Sequence, residues 1–246
     1  MRTEEFIKKV ISLTKEEVRF EEVRKGLPLG LDVNGGVVIA QKQEKTLTVK
    51  NTCVSGPNRT NFIRRFLIAL SCLYEKDEAC FFVLSPHTEY GELLRLHSLD
   101  ITVPYIREKS DLKACMETIQ ELIRQRDFGK GYPKLFIVLD GLEELEESNV
   151  NGDLAEYRAI FDLLMRRSDV QIITGVDLTR SIFSGFPGAF LGIGNCLVSI
   201  REAGKADVTY VNDDSSLTMP EPIGYPIEPT VMESIIYLNA AFPAEK

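Results

Sequence analysis

The chain has 246 residues, 44% of them hydrophobic and 27% charged, with a formal net charge of -8. That supplies one large core and excludes a largely disordered chain. The acidic balance offers no basic field for nucleic acid, and no apolar run reaches the roughly 18 residues of a membrane helix.

"MRTEEFIKKV" lacks the apolar centre of a signal peptide. The five cysteines (Cys53, Cys72, Cys80, Cys115, Cys196) form no C-x-x-C pair and sit largely in apolar runs. They read as buried thiols of a reducing, cytoplasmic compartment. His87 and His97 are too few for a histidine-rich metal site, and none is expected.

Residues 3–25 carry Phe6, Ile7, Val10, Ile11 and Leu13 at helical spacing, an amphipathic lead-in. "GLPLGLDVNGG" reads as turn residues ahead of a short β-type run, Val37 to Ala40. "TLTVKNTCVS" alternates and is rich in Thr and Val, so it reads as a strand. An apolar helix is expected from Asn61 to Leu73, with Arg64 and Arg65 on it. "ACFFVLSP" is a continuous apolar run stopped by Pro86, the pattern of a strand buried on both faces. "EYGELLRLHSL" reads as a short helix and "ITVPYI" as a short strand. Asp111 to Arg126 is a long amphipathic helix with Leu112, Met116, Ile119, Leu122 and Ile123 on one face.

"PKLFIVLDGLEEL" is a third buried strand, ending at an acidic turn. The helix "DLAEYRAIFDLLMRRS" and a fourth buried strand, "DVQIITGVD", follow. "NCLVSIRE" and "ADVTYVND" read as a terminal strand pair. An extended proline-rich tail, "MPEPIGYPIEP", leads to a last helix, Val231 to Ala241. Buried strands alternating with helices imply an α/β fold, a mostly parallel sheet with helices on both faces.

Within this pattern, "TCVSGPNRTNFIRRF" stands where strand passes through a turn into helix. A phosphate-binding loop has the pattern G-x-x-x-x-G-K-[ST]: backbone N–H groups cradle phosphates, Lys reaches the β/γ-phosphates and the Ser/Thr hydroxyl binds magnesium. Here Gly56 is followed by Pro57, Asn58, Arg59 and Thr60. The second glycine is missing, Arg59 holds the lysine slot, and the loop is about three residues short of the pattern. Pro57 has no N–H to donate, and a guanidinium is a planar fork rather than a point charge. Three readings stand: a decayed phosphate loop, an ordinary strand–turn–helix and a working site. Asp140 favours the first, because it ends a buried strand where a magnesium-binding Asp belongs. The residue after it, where a second carboxylate usually stands, is Gly141. Glu143 and Glu144 read as favourable charge at a helix start.

The order of these pieces resembles the FtsK/SpoIIIE-type ATPases, above all the C-terminal, degenerate ATPase module of EssC/EccC proteins in type VII secretion. "LPLGLDVNGGVV", "CVSGPNRTNFIRRFLIAL", "FFVLSPHTEYGELLRLHSL" with "DLKACMETIQELIRQR", "LFIVLDGLEEL" and "VQIITGVDLTRSIF" carry the resemblance over roughly residues 27–211. It implies a RecA-like P-loop NTPase fold, with 1–26 a helical lead-in and 27–246 a degenerate FtsK-like ATPase domain. By position, Gly56, Asn58, Arg59, Thr60 and Asp140 are a vestigial nucleotide site without catalytic residues. The implied cofactor is ATP with magnesium, and the lost glycines argue against its binding.

The resemblance further implies a pseudo-ATPase module on the cytoplasmic face, within a membrane-anchored protein. Its partners would be neighbouring ATPase modules of the same chain and small helical secreted substrates. The competing expectation is an active motor driving secretion or DNA translocation, with Arg126, Arg166, Arg167 or Arg180 acting in trans. Acidic composition disfavours nucleic acid. "SIFSGFPGAFLGIG" offers Phe183, Phe186 and Phe190 as a partner surface, or else a buried connection. His87, at the carboxyl end of a buried strand, could line a polar site.

Overall fold

The computed structural model describes residues 5, 8–9, 28–40, 51–71, 74, 77–95, 100–126, 131–145, 164, 167, 169–177, 196–211 and 217–225. Ten strands form one sheet: β1 (Pro28–Leu31), β2 (Val37–Ile39), β3 (Asn51–Ser55), β4 (Ala79–Leu84), β5 (Asp100–Thr102), β6 (Lys134–Asp140), β7 (Val170–Val176), β8 (Cys196–Glu202), β9 (Lys205–Tyr210) and β10 (Glu221–Gly224). Among the described residues they are accompanied by the α-helices α1 (Arg59–Ser71) and α2 (Lys109–Gln125) and the 3-10 helices Thr88–Arg95 and Leu142–Leu145.

The strand order is β2-β1-β10-β9-β8-β3-β7-β6-β4-β5. From β8 to β5 every neighbour pair is parallel. From β8 back to β2 every pair is antiparallel.

The apolar runs explain the parallel half. In β6, Phe136 and Val138 join one core while Leu135, Ile137 and Leu139 join the other. β4 divides likewise, Phe81 and Val83 against Phe82 and Leu84. Successive strand side chains point to opposite faces, so a run apolar at every position is suited to burial on both. α1 covers the first face through Phe62, Ile63, Phe66, Leu67 and Leu70. α2 covers the second through Leu112, Met116, Ile119 and Ile123. Each buried side chain of this size contributes roughly 2 kcal/mol. Phe81 stacks on Phe136 with ring centroids 4.8 Å apart.

The antiparallel half differs from the sequence expectation. "GLPLGL" holds a strand rather than turn residues alone, and the turn is confined to Asp32–Gly36. Asp32 Oδ1 accepts the N–H groups of Asn34 at 2.7 Å and Gly36 at 2.8 Å, which closes the turn and brings β2 back along β1. "NCLVSIRE" and "ADVTYVND" are not a terminal pair. β8 lies parallel to β3, and β9 carries the sheet on through β10, which forms within the proline-rich tail. Pro222 is accommodated there in a short strand four residues long.

Glu5, Lys8 and Lys9 of the lead-in are helical, and Lys9 Nζ donates to Gly35 O at 2.8 Å. The helix expected at 153–168, the last helix and the loop at 148–152 lie outside the described residues, apart from buried Leu164 and Arg167.

Candidate functional site

β7 lies between β3 and β6, so one strand separates the loop strand from the acidic strand. Register sets Ser55 beside Val176 and Asp140 beside Gly175. Both strands therefore release their chains at the same sheet edge, the carboxyl edge where parallel α/β sheets bind ligands.

β3 ends at Ser55 and α1 begins at Arg59, leaving Gly56, Pro57 and Asn58 as the loop. Gly56 has φ 105°, and a Cβ there would lie 2.3 Å from the Ile200 carbonyl oxygen of β8. Left-handed backbone and close passage under β8 both require glycine here. Asn58 has φ 59°, a conformation asparagine tolerates, and its carbonyl accepts the Phe62 N–H at 3.1 Å. The helix thus starts two residues before the expected Asn61. Arg59 and Thr60 fall in its first turn.

Both side chains turn to Asp140, which has 0% exposure. Arg59 Nε donates to Oδ1 at 3.0 Å, and Thr60 Oγ1 donates to Oδ2 at 2.7 Å. The other arm of Arg59, Nη2, donates to Glu144 Oε1 at 3.1 Å. A positive charge at a helix N-terminus opposes the helix dipole, and the two carboxylates offset it. Glu144 therefore does more than charge a helix start. It lies on the 3-10 helix Leu142–Leu145 and anchors the guanidinium from outside.

Two further side chains, missed or underrated in the sequence, complete the site. Tyr90, fully buried in the 3-10 helix after β4, donates its hydroxyl to Asp140 Oδ2 at 2.9 Å. Burial, then the charge and hydrogen bond of Asp140, hold the phenol well above its ordinary pKa. It stays a proton donor at every physiological pH.

His87 Nε2 lies 3.9 Å from Asp140 Oδ2 and 3.6 Å from Glu144 Oε1, beyond hydrogen-bond length. This nitrogen is buried and has no hydrogen-bond partner among the described residues. The one signal that could have promoted His87 and Tyr90 was their position just past a buried parallel strand.

Two glycines make the arrangement possible. A Cβ on Gly175 would stand 2.0 Å from Asp140 Oδ1, so the bare β7 backbone gives the carboxylate room to reach α1. Gly141 has φ 72°, and its Cβ would stand 2.4 Å from His87 Nε2. The imidazole thus fills the space into which a side chain at position 141 would project.

The arginines considered for action in trans are elsewhere. Arg126 Nη1 donates to Asp169 Oδ2 at 3.2 Å and to the Pro133 carbonyl at 2.8 Å. Arg167 grips Asp169 with two bonds, 2.8 and 2.9 Å long. Asp169 immediately precedes β7, at the opposite end of the sheet. Leu135 to Asp140 spans about 17 Å at roughly 3.3 Å per residue. Arg167 is buried and Arg126 half-buried, and both are held in an ion-pair cluster with Asp169 rather than free as fingers. Arg166, Arg180, Phe183, Phe186, Phe190, His97 and Cys72 lie outside the described residues.

No protein-family model and no curated sequence matches the chain. Solved structures do. The chain is similar to EssC (ATPases 2 and 3) from Geobacillus thermodenitrificans, TM-score 0.58 at 16% identity over 82% of this chain. It is similar to the cytoplasmic domain of the type VII secretion ATPase EccC from Thermomonospora curvata, TM-score 0.54 at 14% identity over 86%. A cytoplasmic domain of EssC matches 82% of the chain at 13% identity, TM-score 0.53. These likenesses show the fold, the α/β sheet architecture that the chain shares with the ATPase domains of EssC and EccC. The chain spans 41%, 30% and 43% of those three structures, so each is much the longer.

Proposed function

We propose that this chain is a module of a type VII secretion motor that keeps the ATPase fold and serves partner recognition or regulation instead of hydrolysis. The EssC and EccC likenesses support the motor context. One observation carries the loss of hydrolysis: buried Asp140 is already bonded to Arg59, Thr60 and Tyr90 of its own chain.

The residues do not fit a magnesium–nucleotide complex. A divalent ion beside Asp140 would meet the guanidinium of Arg59. The side chain in the lysine slot reaches inward to two carboxylates, away from where phosphates would lie. Pro57 gives no N–H, and the three residues between Ser55 and Arg59 leave little backbone to wrap a phosphate chain. Position 141 carries no carboxylate to activate water.

The partners of such a module are neighbouring ATPase modules of one chain and small helical secreted proteins. The Geobacillus EssC structure, with its ATPases 2 and 3, supports the first. Among the described residues no helix is long and apolar enough to cross a membrane.

Calorimetric titration with Mg-ATP tests the proposal, alongside phosphate release measured on monomer and oligomer. The expected result is no binding at micromolar affinity and no turnover. Micromolar binding would overturn the proposal. Turnover abolished by Asp140→Ala would replace it with the active-motor reading.

A further inference from the structure

Arg59 joins its own helix to a stretch of chain 81 and 85 positions away. Its own α1 carries the loop, β6 ends in Asp140, and Leu142–Leu145 carries Glu144. Thr60 and Tyr90 add α1 again and the 3-10 helix after β4, all converging on the one carboxylate. Arg64 of α1 also pairs with Glu92 on that 3-10 helix, a second tie between the same segments.

In a working P-loop site the parts around the acidic strand end are drawn together by a divalent cation and the phosphates it holds. Here the guanidinium supplies positive charge between Asp140 and Glu144, and its planar fork reaches both at once. A buried carboxylate left without a positive charge is strongly destabilising, so a cation at this point stabilises the edge.

We infer that Arg59 is a tethered substitute for the divalent cation, holding the carboxyl edge of the sheet in one closed arrangement without ligand. This deepens the non-hydrolysing reading and rests on it. The loop then becomes a fixed strut. Nucleotide state no longer sets the conformation of this edge, and whatever surface the module offers a partner is constantly formed. Removing the guanidinium leaves Asp140, Glu144 and the Thr60 hydroxyl, all oxygen donors, facing a vacated volume. Hard divalent cations take such ligands.

The test uses Mn2+ alone, without nucleotide, on the full chain. Electron paramagnetic resonance counts bound Mn2+, and melting temperature is followed with and without the ion. The expected wild-type result is weak Mn2+ binding and an unchanged melting temperature. Arg59→Ala should melt lower, and Mn2+ should restore part of the loss. Its Mn2+ affinity should rise about thirtyfold or more, the repulsion between a guanidinium and a divalent ion about 4 Å apart even at the dielectric constant of water.

Arg59→Ala/Asp140→Asn should lose the gain. Arg59→Gln, which keeps donors without the charge, should behave like Arg59→Ala and serves if the alanine variant does not fold. Arg59→Lys should leave Mn2+ affinity at the wild-type value. Equal Mn2+ affinity in wild type and both uncharged variants would overturn the inference, as would a gain that survives Asp140→Asn. Because no nucleotide is present, these failures are separate from ATP turnover by the wild type, which would sink the non-hydrolysing reading instead.

Discussion

Replacing Gly141 with alanine adds one methyl group at a tightly constrained point of the site. Two penalties apply. The backbone sits at φ 72°, where an L-residue with a Cβ costs roughly 1–2 kcal/mol more than glycine. The new Cβ would also lie 2.4 Å from His87 Nε2 and 3.0 Å from its Cδ2, so the imidazole must shift. Overpacking of this kind costs about 1–3 kcal/mol. The sum is roughly 2–5 kcal/mol for Gly141→Ala.

His87→Ala removes the ring and hence the second penalty. In the double variant, the alanine at 141 should cost only its backbone part, giving a coupling of about 1–3 kcal/mol. Urea denaturation of wild type, both single variants and the double variant measures it, provided the m-value stays constant. Additivity within roughly 0.5 kcal/mol would refute the claim that the imidazole excludes side chains from position 141. It would also remove the explanation for why a second carboxylate cannot simply be restored there.

Gly175→Ala should open the Arg59–Asp140 contact from the other side, since its Cβ would strike the carboxylate at 2.0 Å and Ile63 Cδ1 at 2.7 Å. A loss of at least about 2 kcal/mol in denaturant unfolding is expected; a near-neutral effect would mean that the carboxylate has another place to go. At the opposite end of the sheet, burial pushes the Asp169 pKa up, but hydrogen bonds from Arg167 and Arg126 outweigh it and hold the carboxyl below its ordinary value. A depressed folded-state pKa gives stability present above the unfolded value of about 3.9 and lost as pH falls through the lower folded value. The advantage of wild type over Asp169→Asn should therefore be constant from neutral pH down to about 4 and shrink below that; an advantage that grew on acidification would be wrong in sign. Burial holds the Cys196 thiol well above its ordinary pKa. It should resist an aromatic disulfide reagent until urea unfolds the chain, which mass spectrometry of the labelled peptide would check.

Much of the scaffold was legible because the parallel half of the sheet writes itself plainly. Runs such as "FIVL" and "FFVL" leave no polar face, so they belong between two layers of helices, and both faces are covered in that way. The loop was legible as a departure from a pattern, since missing glycines and a proline are local facts. The antiparallel half was less so. β1 and β10 contain Pro28, Gly30, Pro222 and Gly224, residues that locally favour turns, and pairing along a common sheet overrides that preference.

The site divides along the same line. By itself the sequence determined which chemical groups the edge can contain: Arg59 in place of lysine, Thr60 beside it, Asp140 at a strand end and no carboxylate at Gly141. It also showed a loop about three residues short of the phosphate-loop pattern. Only the tertiary structure decided where Arg59 points. Its partners lie 81 and 85 positions away in the chain, and its direction follows from the single strand that separates β3 from β6. The same long-range packing brought Tyr90 onto Asp140 and set the His87 ring over Gly141, contacts that local patterns of hydrophobicity and turn residues do not encode. "TCVSGPNRTNFIRRF" names the parts of a phosphate loop that are missing; the fold shows that what remains bonds to its own acidic strand end.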